Sequence, residues 1–139
     1  MKIMGLDLGT TTCGIAVSDP SELLATGVET VRFEANNFEV PLDYLTHFID
    51  NNKIGKVVIG LPKNMDGSVG FQGQLVLDFK SKLEKLTTAP IDVWDERLTT
   101  RMVTQVMISG NLNRKKQKEN VDRLAATVIL QSYLDSKRR

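Results

Sequence analysis

Lys2-Ile-Met-Gly-Leu-Asp-Leu8 is followed at once by Gly9-Thr-Thr-Thr-Cys-Gly14 and then Ile15-Ala-Val-Ser-Asp19. Two apolar runs flank a small Gly/Thr turn, which reads as two strands, Lys2–Leu8 and Ile15–Asp19, joined in a hairpin. Asp7 is out of place in that reading. A carboxylate inside an apolar strand is costly unless something positive pairs with it. The structural alternative is a local side-chain bond from Asp7 into the Gly/Thr turn.

Beyond the hairpin, Ala25–Phe33 is rich in β-branched residues and predicts a third strand. Phe38–Asn52 carries Phe38, Leu42, Leu45, Phe48 and Ile49 at a helical period. Val57–Leu61 is continuously apolar and ends at Pro62, as a parallel strand buried on both faces should. A loop, Lys63–Gly70, follows, with Asp66-Gly67 as its turn signal. Phe71, Leu75, Phe79 and Leu83 then recur every four residues and predict a helix to about Leu86. Ile91–Glu96 is the fifth strand. A helix over Thr99–Ser109 is stopped by Gly110, and a last one runs from about Asn120 to Ser136.

Three meander strands followed by βα units predict an α/β fold. Its sheet is mixed and five-stranded, the first three strands antiparallel and the later ones parallel, with helices on both faces. At 139 residues the chain is expected to be a single domain, 1–139. Sites in such sheets gather at the carboxyl ends of the parallel strands. Asp7 and Glu96 each lie near such an end, and Asp122 opens the last apolar helix, within reach of them.

The composition, 41% hydrophobic and 25% charged, is ordinary for a soluble globular protein. No apolar run approaches the ~18 residues of a membrane span, and no charged-then-apolar leader opens the sequence. A cytoplasmic location is expected. The single cysteine, Cys13, excludes an internal disulfide or a Cys-rich zinc cluster and reads as a buried hydrophobe. His47, the only histidine, reads as a surface residue, which argues against histidine acid–base chemistry. Net charge is only +1, but Arg114-Lys-Lys-Gln-Lys118 gathers four positive charges just before Asp122. Such a run is either solvated surface or a phosphate-binding patch.

Three converging carboxylates repel one another, and divalent metal is the usual remedy. Asp7, Glu96 and Asp122 therefore suggest a metal-dependent phosphodiester hydrolase. An oxygen-only donor set favours Mg²⁺ or Mn²⁺ over zinc. Each acid also has a plain structural reading: Glu96 as a partner of Arg97, Asp122 as a first-turn acid favoured by the helix dipole. Asp95 and Glu96 face opposite sides of their strand, and periodicity does not choose between them. Lys63, Asn64 and Arg97 sit in loops after parallel strands, placed to contact phosphates. Trp94 reads as core and Asp19 as a turn residue.

Four blocks carry a family resemblance: Gly5-Leu-Asp-Leu-Gly9 with Gly14-Ile-Ala-Val-Ser-Asp19; Gly60-Leu-Pro-Lys-Asn-Met-Asp-Gly67; Asp95-Glu-Arg-Leu-Thr-Thr100; and Val121-Asp-Arg-Leu-Ala-Ala126 with Ile129-Leu-Gln131. Together they resemble the YqgF/RuvX family of ribonuclease H-like proteins, described as pre-16S rRNA nucleases or Holliday junction resolvases. The resemblance implies a ribonuclease H-like fold and a carboxylate site of Asp7, Glu96 and Asp122, catalytic and metal-binding, with Glu96 preferred over Asp95. It implies Mg²⁺ or Mn²⁺, two ions with substrate bound. It also implies processing of the 5′ end of pre-16S ribosomal RNA; Lys63, Asn64 and Arg97, by their loop positions, and Arg114, Lys115 and Lys116, by their closeness to Asp122, are the candidate substrate contacts. Where the family usually has a basic pair after the first glycine block, this sequence has Thr11 and Thr12.

The alternatives are a resolvase of branched DNA, or a non-catalytic RNA-binding factor in ribosome assembly. Partners are nucleic acid and pre-ribosomal particles rather than a membrane, and the chain is expected to be a monomer or weak dimer. Gly5-Leu-Asp-Leu-Gly-Thr-Thr-Thr12 also resembles the first phosphate loop of the actin and sugar-kinase ATPases, which close two such domains around nucleotide.

Overall fold

The computed structural model describes residues 1–96 and 114–137, and in the final helix the side chains from 124 onward. The predicted helix over Thr99–Ser109, and Arg97, lie outside the described residues. The elements are β1 (Lys2–Leu8), β2 (Thr12–Ser18), β3 (Ala25–Arg32), α1 (Glu39–Asn51), β4 (Ile54–Leu61), α2 (Phe71–Glu84), β5 (Ile91–Asp95) and α3 (Arg114–Lys137). The five strands form one sheet in the order β3-β2-β1-β4-β5. β1 pairs antiparallel with β2, and β2 with β3, whereas β1–β4 and β4–β5 are parallel. The mixed sheet is the one expected from the element order.

The hairpin is tighter than its sequence suggests. Thr12 and Cys13 already belong to β2, because the turn closes by a 2.7 Å bond from the Gly9 N–H to the Thr12 carbonyl. The neighbouring carbonyls of Thr10 and Thr11 accept from Asn36 and Phe33, which ties the turn to the end of β3. At the other end of β2, the Asp19 carboxylate accepts from the N–H groups of Ser21, Leu23 and Leu24. These bonds hold its pKa well below the usual carboxylate range. Asp19 is the turn residue expected.

Alternation along β1 sorts its side chains to two faces. Met4, Leu6 and Leu8 join Leu45, Val57, Ile59, Phe79 and Leu83 in a core under α1 and α2, and Cys13 is buried there too. Ile3 faces the other way, into a second core of Ala16, Val58, Ala126, Ile129, Leu130, Tyr133 and Leu134 beneath α3. Both faces are covered, which is why β1 and β4 read as continuous apolar runs.

Two helices depart from expectation. The buried positions of α2 are Gly73, Val76, Phe79 and Leu83, while Phe71 is exposed. At ~100° per residue a four-residue spacing drifts by ~40° each step, so a stripe counted in fours leaves the core face within a few turns. α3 begins at Arg114, six residues before the apolar period that marks it in the sequence. Its opening Arg-Lys-Lys-Gln-Lys-Glu is made of good helix formers with no apolar stripe to read.

α3 lies close on the sheet. A Cβ at Gly5 would stand 2.7 Å from the Leu130 Cβ and 3.2 Å from the Ala126 carbonyl oxygen. Gly5→Ala is therefore expected to push the helix outward and cost about 1–3 kcal/mol, read as a lower urea midpoint. Gln131 fastens the helix to the far edge of the meander, accepting from Ala25 N–H at 2.8 Å and donating to the Leu23 carbonyl at 3.0 Å.

Near the sheet's lower end, Lys56 pairs with Asp92 at 2.8 Å, and the Tyr133 hydroxyl donates to Asp92 at 3.2 Å. Lys56 also lies over the Tyr133 ring, 5.1 Å from its centroid. The hydrogen bond from Lys56 lowers the Asp92 pKa, and the same bond raises that of Lys56. A depressed Asp92 stabilises the fold above its unfolded pKa and loses that contribution as pH falls through the folded value. A raised Lys56 contributes below its unfolded pKa and loses that contribution as pH rises through the folded value. The Asp92 side chain is 50% exposed, so Asp92→Asn is expected to cost only about 0.5–1 kcal/mol near pH 7. That difference should close in acid, measured as paired melts at pH 7 and about pH 3.

Candidate active site

Asp7 points to the α3 face, alternating with Gly5 and Ile3, and is half-buried. Glycines stand on both sides of it. Gly14 is its register partner on β2. On β4 the register Leu6↔Ile59 carries, one residue further, to Gly60. Neither neighbour has a side chain to crowd the carboxylate.

Glu96 follows the last residue of β5. Trp94 lies on the α3 face, where its ring meets Tyr133 edge-on at 5.8 Å. Val93 packs into the opposite core, so alternation sends Asp95 to that side and returns Glu96 to the α3 face. The Glu96 side chain lies across Gly60: its Oε1 stands 2.6 Å, and its Cγ 2.9 Å, from where a Gly60 Cβ would be. Gly60 neighbours Asp7 at one strand spacing, ~4.8 Å. The geometry thus brings Asp7 and Glu96 to one face and one edge, at the carboxyl ends of parallel strands, with a glycine floor between them.

Asp122 lies in α3, one turn before Ala126. The helix runs counter to β1, since Tyr133 meets Lys56 low on the sheet while Ala126 and Leu130 cover Gly5. At ~1.5 Å per helical residue and ~3.3 Å per strand residue, the turn bearing Asp122 stands at the sheet's carboxyl edge, where Asp7 lies. Arg114, Lys115 and Lys116 start the same helix, ~9–12 Å further along its axis. They overhang the edge.

The loop after β4 holds Lys63, half-buried, and Asn64. Asn64 is engaged within the loop. Its Nδ2 donates to Ser68 Oγ at 3.0 Å, and its N–H bonds the Ser68 carbonyl at 2.9 Å. His47 is on the exposed side of α1, its Nδ1 beside the Asp43 carbonyl, remote from the acids. Trp94 is core, with an indole N–H that is buried and has no hydrogen-bond partner among the described residues.

The donor set fits a hard divalent cation. Asp7 stands beside Gly60 in the sheet, Glu96 lies over that glycine, and both offer only oxygen. The sequence reading missed Gly14 and Gly60 as part of this arrangement. The signal was present, a glycine inside each apolar strand flanking β1.

A family model described as RuvX, Holliday junction resolvase, matches residues 1–136. A protein of Oceanobacillus iheyensis that carries the provisional name pre-16S rRNA nuclease is 43% identical over 137 residues, covering 99% of this chain and 100% of that one. A Staphylococcus aureus protein of the same name is 44% identical over 136 residues, covering 97% and 96%. Among solved structures, Thermus thermophilus RuvC in complex with a Holliday junction substrate matches with a TM-score of 0.64 at 16% identity, over 99% of this chain and 96% of that one. The Fowlpox virus resolvase in complex with junction DNA matches at 0.61 and 13% identity, over 100% of both chains. These two share the fold.

Proposed function

Because the chain belongs to the RuvX family, we propose that it is a cytoplasmic, Mg²⁺- or Mn²⁺-dependent nuclease that processes the 5′ end of pre-16S ribosomal RNA. The observation that carries this reading is the carboxylate pair on the ribonuclease H-like sheet, Asp7 between two glycines and Glu96 lying over one of them. Relatives named for pre-16S rRNA support the substrate.

Phosphodiester hydrolysis needs an activated water on one side of phosphorus and stabilisation of the leaving oxygen on the other. Bound divalent cations supply both, as Lewis acids. Asp7 at the centre of the sheet, Glu96 and Asp122 are the residues that would hold these cations. The strand register fixes the Asp7 backbone, and packing over Gly60 fixes Glu96, so the oxygens are oriented before substrate arrives. Lys63 and the overhanging Arg114, Lys115 and Lys116 hold flanking phosphates, and Arg97 lies one residue beyond Glu96.

Incubating a pre-16S fragment and a four-way DNA junction with the protein, in Mn²⁺ and in chelator, tests the reading. Metal-dependent cleavage of the RNA supports it. Preferred cutting of the junction by a dimer transfers the assignment to resolution, which the family description and the RuvC-like fold favour. RNA binding without cleavage in any metal makes the protein an assembly factor.

Reversing charge at Lys115 and Lys116 is expected to weaken RNA binding. The slope of log K against log salt should flatten by about 0.7 for each single-strand phosphate that is no longer neutralised. Affinity titrations at several salt concentrations measure it. An unchanged slope removes both lysines from the interface.

A further inference from the structure

The loop between β4 and α2 is more ordered than its Gly/Ser content suggests. The Asn64 N–H bonds the Ser68 carbonyl, the Gly67 N–H bonds the Asn64 carbonyl, and Asp66 accepts from both the N–H and the hydroxyl of Ser68. Gly67 takes a φ of 89°, which a side chain would resist. Asn64 also packs against Gly70, the residue before α2. A loop closed by this many internal bonds gives its side chains a fixed place.

Two large apolar side chains, one in the loop and one at the start of α2, stand in water. Met65 is 94% exposed at the loop tip, and Phe71 is 75% exposed at the first position of α2. The helix's own core face begins at Gly73, whose Cβ position lies 2.7 Å from the Pro62 carbonyl. Phe71 is therefore held beside the end of β4, two residues beyond Gly60, where Glu96 lies. An aromatic ring so exposed gains nothing for the fold. Its helix packs on the face of the sheet opposite the carboxylates, and its first turn reaches the same carboxyl edge, with Lys63 at the loop's base.

Resting on the nuclease reading, the geometry points to Met65 and Phe71 as a stacking platform for unpaired nucleobases next to the scissile phosphate. The ring face of Phe71 and the polarizable thioether of Met65 suit a base π-surface, and neither presents a hydrogen bond that would select one base over another. Lys63 and the overhanging basic turn of α3 take the backbone while the platform takes the bases. The occupant is a single-stranded or splayed segment rather than a regular duplex, whose bases have no free face. The platform also gives the protein a reason to prefer strand ends and splayed branch points over paired stems.

The test uses the intact chain in chelator, so that strands survive, with a single-stranded RNA carrying 2-aminopurine and a blunt duplex of the same sequence. Phe71→Ala is expected to weaken single-strand binding about ten-fold and to abolish quenching of the 2-aminopurine. Duplex affinity and the salt slope should be unchanged, because phosphate contacts remain. Phe71→Trp should restore both affinity and quenching, and Met65→Ala should show a smaller loss. Single-strand affinity that is the same in Phe71→Ala as in the parent overturns the platform alone. Parent protein that binds neither probe overturns the nuclease reading with it. A concentration-dependent dimer abolished by Phe71→Ala assigns the patch to a second copy of the chain and also overturns the proposal.

Discussion

Asp7→Asn is expected to remove nuclease activity while leaving the fold intact. The substitution keeps the shape of the side chain and takes away the charge that two cations would share. Metal-ion catalysis rests on several kcal/mol of transition-state stabilisation, so kcat should fall about a thousand-fold or more. The fold should be retained, because the amide keeps the size of the carboxylate and Gly14 opposite it leaves room for it. A thermal melt separates the two effects. Mn²⁺ should raise the Tm of the parent by binding the native state alone, and should leave that of Asp7→Asn where it was. Equal Mn²⁺ shifts in both proteins, or cleavage by the variant within ten-fold of the parent, would remove Asp7 from the metal site.

Gly60→Ala should damage stability and catalysis together. The added carbon falls 2.5 Å from Ile129 Cδ1 and 2.6 Å from Glu96 Oε1, so a core side chain and a site carboxylate compete for the same space. If Glu96 yields by about an ångström, catalysis should drop about a hundred-fold; the packing clash itself should cost about 1–3 kcal/mol. Combining it with Ile129→Val, which lacks the colliding Cδ1, should restore most of the urea midpoint and little of the cleavage rate. Recovery of both together would mean that Glu96 does not depend on the glycine floor.

Much of this architecture is legible in the chain. β1 and β4 declare themselves because both faces of the central strands are covered, and the Gly/Thr turn makes the hairpin. The order of elements then leaves few sheets to choose from. Other features are hidden for physical reasons. β5 is a five-residue edge strand that ends in two adjacent acids, too short a run to set the phase of its alternation there, so Asp95 and Glu96 are equivalent until Trp94 is placed against Tyr133 under α3. Helix α3 starts in a charged segment where propensity, not periodicity, holds the backbone. Phe71 reads as core only while apolar residues four apart count as one stripe. The glycine floor under Glu96 concerns the distance between two strands and a helix, which no local window of sequence contains.

The clasp of Gln131 on Ala25 joins residues 106 positions apart. That span sets an order of events during synthesis. β1, β2 and β3 are close in sequence and can pair as soon as they emerge, and α1, β4 and α2 can cover one face while translation continues. Ile3, Ala16 and Val58 must wait, uncovered, until the segment around Ile129 to Leu134 has left the ribosome. The last helix also carries Asp122, so the fold and the proposed site would be completed in the same late step. A nascent chain stopped short of that helix would present this apolar face of the sheet to water, open to wrong partners.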